Sequence, residues 1–122
     1  MKRTFSLTLL ALASAALADQ PPHGTWTDAR IAGLVVYTSG GPQNKGYVVV
    51  TLQANGTGSP SCAAGYPRSV AVDLTVEGSR MALGELERSM LMGQSITLTG
   101  SGACTVQATV ETLASVESKS PR

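Results

Sequence analysis

A single histidine, His23, leaves no partner for a Ser-His-Asp or Cys-His pairing and too few ligands for a His-based metal site. The acids are scattered and nowhere reach calcium-loop spacing. No Gly-x-Gly-x-x-Gly or P-loop occurs, and Gly100-Ser101-Gly102 follows a strand-like run without opening a helix. No catalytic residue, metal or cofactor is therefore expected, and a hydrolytic enzyme stands only as a third reading. Aromatic residues make up 4% of the chain, too few for a base-stacking platform. Positive charge is not clustered either, which argues against a nucleic-acid partner.

Long apolar runs are also missing. Leu7 to Ala18 is the nearest approach, too short to span a bilayer, so no membrane span is expected. With Lys2-Arg3 before it and Ala16-Leu17-Ala18 closing it, residues 1–18 read as a cleavable export signal. No cysteine follows the cleavage point to take a lipid. The expected product is secreted or periplasmic, with 104 of the 122 residues, enough for one domain. Losing Lys2 and Arg3 takes the nine Lys/Arg to seven against eight Asp/Glu, a net charge of −1.

Only Cys62 and Cys104 are present, and in an exported chain two cysteines default to a disulfide. A reactive thiol or a metal pair would need a neighbouring His or second Cys, which neither has.

The remaining chain reads as short strands around one helix. Residues 19–25 form a Pro/Gly arm, expected to be mobile. A β-branched run from Asp28 to Ser39 is the expected first strand, stopped by Gly40-Gly41-Pro42. A second strand, Tyr47 to Gln53, points Val48, Val50 and Leu52 one way, and its near-continuous apolar character implies partial cover on the other face. Residues 54–69 form a long connection pinned by Cys62, with an Asn55-Gly56-Thr57 glycosylation sequon in it. Val70 to Thr75 alternates cleanly as a third strand. The helix spans about Arg80 to Met92, with Ser79 as N-cap, Gly93 as stop, and Ala82, Leu83, Leu86 and Met90 on one face. Ser95 to Thr99 and Cys104 to about Val116 complete five strands, the last sending Glu111 outward. Three strands, a helix and two strands is the order of a five-stranded OB-fold barrel, all-β with one helix, over residues 26–117. A polar tail, 118–122, follows.

Trp26-Thr27-Asp28-Ala29-Arg30, followed by Ala32-Gly33-Leu34-Val35-Val36, resembles the start of the mature B subunits of subtilase-cytotoxin-type bacterial toxins. Asn44-Lys45-Gly46-Tyr47 and the helix running into Gly93-Gln94 extend the likeness over most of residues 26–100. The resemblance implies an OB-fold that forms a homopentameric ring, binds sialylated cell-surface glycans, and faces a catalytic A subunit across its helices. It also implies a glycan site at the end of the first strand. Here that site would comprise Asp28, Arg30 and Ala32, with Tyr66 and Arg68 from the pinned loop. At Ala32 the family carries a serine whose hydroxyl serves the sugar, so sialic-acid binding is expected to be weak. Trp26 is expected as a packing anchor and not as a sugar-stacking ring. The lead reading is an exported non-enzymatic binding module, glycan-directed; its alternative is an exported protein-interaction or inhibitor module.

Overall fold

The computed structural model describes residues 22–118. The expected export signal at 1–18, residues 19–21 of the expected arm and 119–122 of the expected tail lie outside them. Six strands and one helix follow in order: β1 (Thr25–Ala29), β2 (Ile31–Tyr37), β3 (Tyr47–Leu52), β4 (Ser69–Asp73), α1 (Ser79–Met92), β5 (Ile96–Gly100) and β6 (Glu111–Ser118). They form one mixed sheet in the order β1-β5-β6-β4-β3-β2, antiparallel except where β6 runs parallel to β4.

This corrects the expected five-stranded barrel to a six-stranded mixed sheet whose edge strands are not hydrogen-bonded to each other. The expected first strand is divided. It begins earlier, at Thr25, and breaks where Asp28 takes a positive φ of 48° and Arg30 leaves the ladder. Asp tolerates the left-handed region better than most side chains, which makes it an apt site for the break. Because Arg30 alone separates β1 from β2, their facing ends lie about 7 Å apart at most. Yet the two strands occupy opposite edges of the sheet, so the sheet curls round towards itself.

One core fills that curl. Trp26, Val48, Val50, Leu52, Val70 and Leu98 are buried in it, and Leu86 of α1 inserts from the helix side. The alternation expected for β3 and β4 is observed. Their outer face is covered as well: Tyr47, Val49 and Ala71 pack beneath Val106 and Val110. The cover comes from residues 101–110, which form a loop where the fifth strand was expected to run. That displacement restarts the alternation, and Glu111 is therefore buried instead of outward.

The helix begins at Ser79, but Ser79 does not cap it. Gly78 is the N-cap, with φ 90°, while the Ser79 hydroxyl donates 2.6 Å to the Asp73 carbonyl and ties the helix start to β4. The stop is as expected. Gly93 turns left-handed at φ 67°, and the Gly93 and Gln94 amides bond back to Met90 and Ser89 carbonyls. Cys62 and Cys104 form a disulfide. No helix among the described residues is long and apolar enough to cross a membrane.

Candidate functional site

The break between β1 and β2 opens a notch of about 240 Å³, lined by Asp28 and Arg30 together with Gln53 and Asn55 from the connection after β3. Backbone bonding fixes its frame. The Gln53 amide donates 2.9 Å to the Arg30 carbonyl, and the Asp28 amide donates 3.3 Å to the Thr97 hydroxyl of β5. The Arg30 guanidinium reaches the other way, donating 2.8 Å to the Gly93 carbonyl at the C-terminus of α1. A cation suits that end of a helix, where carbonyls lack partners and the dipole is negative. Arg30 is thus a clasp between the strand break and the helix.

Arg68 joins the same rim indirectly, its Nε donating 3.1 Å to Asn55 Oδ1. The notch therefore gathers Asp28, Arg30 and, through Asn55, Arg68. It does not gather the other two residues expected there. Ala32 is exposed on β2 and does not line the notch. Tyr66, 54% exposed, lines a separate groove with Tyr37 of β2. Chemically the notch offers a carboxylate, two amide side chains and nearby guanidinium groups, a mixed donor and acceptor set. Gln53 was not anticipated, since it reads as the polar end of a strand. Asn55 was legible only as part of a sequon.

The floor of this region is Trp26. It is 2% exposed, as a packing anchor should be, and its indole N–H donates 3.0 Å to the Pro67 carbonyl. Its ring lies so close to Gly56 that any side chain there would collide with it. This holds the 53–69 connection against the end of the core.

A second polar centre went unread in the sequence. Glu111 is fully buried at the start of β6. Both of its oxygens accept from the Gly24 amide at 3.0 Å, and Oε2 also accepts from the Gly102 amide at 2.8 Å. A side chain at Gly100 would overlap the carboxyl group. The described part of the expected arm is thereby held: Gly24 is fixed through Glu111, and its carbonyl accepts from the Gly100 amide at 2.8 Å. Among the described residues no group of three or more His, Cys, Asp or Glu is placed to hold a metal ion. Compared with known proteins, the chain matches no family model, no curated protein and no solved structure.

Proposed function

We propose that this chain is an exported, non-enzymatic binding module on a curled sheet of OB-like strand order, resembling a toxin B subunit, and that the notch at Asp28 receives a glycan. The observation that carries the reading is the strand break itself. It leaves Asp28, Gln53 and Asn55 lining one notch, with the Asp28 and Gln53 amides hydrogen-bonded and the Asn55 side chain held by Arg68. Carboxylate and planar amide groups in a fixed array suit the paired hydroxyls of a sugar ring, and guanidinium groups beside them strengthen such bonds. Loops held by a rigid scaffold are where recognition residues concentrate.

The OB-like strand order rests on the same break, with the sheet left open between β1 and β2. Taken as one bent strand, β1 and β2 make the sheet order first-second-third-fifth-fourth-first, the circuit of an OB barrel. Export is supported by the Cys62–Cys104 disulfide. Assembly of copies into a ring has its own support, since Met81 and Leu91 of α1 stand 80% and 82% exposed, and β2 is an uncharged edge strand. Light scattering tests the ring: a strict monomer at high micromolar concentration removes it.

The glycan is tested on an array of neutral and sialylated glycans, using the mature protein and its Asp28→Ala and Asn55→Ala variants. Retention of a glycan by the mature protein and its loss from both variants, with unchanged melting temperature, is the expected result. Retention that survives both substitutions moves the site elsewhere. Retention of no glycan at all favours the alternative, a protein-interaction or inhibitor module.

A further inference from the structure

On the outer face of the sheet lies a groove of about 300 Å³ whose lining includes no charged side chain. Val49 and Val110 form its floor. Tyr37 from β2 and Tyr66 from the 53–69 connection stand in its walls, both substantially exposed. Between them lie the hydroxyls of Thr51, Ser69 and Thr109, and among the described residues none of these three makes a side-chain hydrogen bond. The groove is thus apolar at its base and ringed by unused hydroxyls.

Its walls are fixed in advance. Tyr66 sits four residues after Cys62, and Thr109 five residues after Cys104, so the disulfide ties the two walls together. On the first wall the Tyr66 amide donates 3.0 Å to Ala63, and the Ser69 amide donates 3.2 Å to Tyr66. On the second, the Gln107 side chain donates 3.4 Å to the Tyr47 hydroxyl, and the Val110 amide donates 3.2 Å to Gln107. Tyr37 is stacked on Tyr47, with ring centres 4.7 Å apart, which fixes its orientation. A site already held in shape loses little freedom on binding.

We propose that this groove is a ligand site for an uncharged pyranoside, its apolar ring face laid against Tyr66 and Tyr37 and its hydroxyls bonded by Thr51, Ser69 and Thr109. Three features select that class. A charged ligand would be stripped of water with no countercharge in the lining to receive it. Exposed tyrosine faces suit the C–H face of a sugar, and the hydroxyls of the lining match those of its edge. The volume is at the bottom of the range of about 300–1,000 Å³ for small-molecule sites, which fits one or two rings. An aromatic-walled groove also suits a Pro-rich peptide. The row of free hydroxyls, contributed by β3, β4 and the 101–110 loop, favours the sugar. This site is separate from the notch at Asp28, and neither proposal depends on the other.

The test is titration of the mature protein with the methyl glycosides of glucose, galactose, mannose and N-acetylglucosamine, followed by NMR of methyl groups. Val35, Val49 and Val110 report the groove, and Ala29 and Ala54 report the notch. At least one neutral glycoside is expected to shift the groove methyls, with Kd on the order of 1 mM as befits one small ring. Tyr66→Ala should weaken it about tenfold, given the size of an aromatic contact. Thr51→Val keeps the shape of a strand residue, removes one hydroxyl, and should weaken it several-fold. The proposal is overturned if no neutral glycoside shifts the groove methyls, or if only the notch methyls respond. It is equally overturned if a sialoside or a proline-rich peptide occupies the groove and the neutral glycosides do not.

Discussion

Glu111 shows how one residue organises chain segments far apart in sequence. Its carboxyl group takes two backbone amides, from Gly24 and Gly102, and sits against Gly100, where no side chain fits. An acceptor buried with its donors is tolerated, whereas the same donors without it lose their water and gain nothing. Glu111→Ala leaves one buried and one partly buried N–H group without an acceptor and should cost about 2–5 kcal/mol, read by denaturant unfolding. Glu111→Gln keeps the shape but turns an N–H₂ towards N–H donors, so it should recover only part of that loss. Gly100→Ala puts a methyl group into the carboxyl position and should unfold the domain. Adding Glu111→Ala should relieve that collision, so that the double variant is better folded than Gly100→Ala alone. Costs that simply add would mean that the two residues do not meet as described.

At the scale of elements, the inward alternation of β3 and β4 and the extent of α1 could be read from the sequence, because periodicity reports a buried face directly. What escaped was set by contacts made across the fold. The break at Asp28 is held by the Thr97 hydroxyl and by Arg30 reaching Gly93, partners 69 and 63 residues away that no local pattern reveals. Glu111 was misplaced because 101–110 alternates like a strand, yet closes over Tyr47 and Val49 as a loop. The site divided for a related reason: Tyr66 and Arg68 are two residues apart in sequence but serve different concavities. One contact of α1 carries a dependence on pH. The Glu85 carboxyl is held below its ordinary value of 4.5, first by the Ser118 hydroxyl and then by hydrogen bonding and charge from Arg88, 2.8 Å away. The resulting stabilisation is present above the ordinary value and fades as pH falls through the depressed one. It should be small and salt-sensitive, since both side chains are well exposed. NMR titration should give Glu85 a midpoint below 4.5; a midpoint at or above it would mean that Ser118 and Arg88 do not hold the charge.

For the whole molecule, the disulfide joins two long segments that the sheet does not order. The 53–69 connection and the 101–110 loop lie mostly outside the ladders, attached by turns, by a few backbone bonds such as the Thr25–Thr57 pair and Thr112 to Ala103, by side-chain bonds and by Cys62–Cys104. The bond closes a loop with a sequence separation of 42 residues. By the chain-entropy argument such a closure contributes about 4 kcal/mol, chiefly by restricting the unfolded chain. That is a large share of the stability of a small domain, which is typically about 5–15 kcal/mol. Replacing both cysteines by serine should therefore lower the melting temperature by tens of degrees, at roughly 4–8 °C per kcal/mol for a domain of this size. The loss should also be uneven. Trp26 and the strands it covers keep their packing, whereas Tyr66 and Val110 lose the link that holds their segments in register. In a variant that still folds, the methyl signals of Val110 and Val35 should broaden while those of Val50 and Leu98 stay sharp. A change in melting temperature no greater than that of an ordinary surface substitution would show that the groove walls are held without the disulfide.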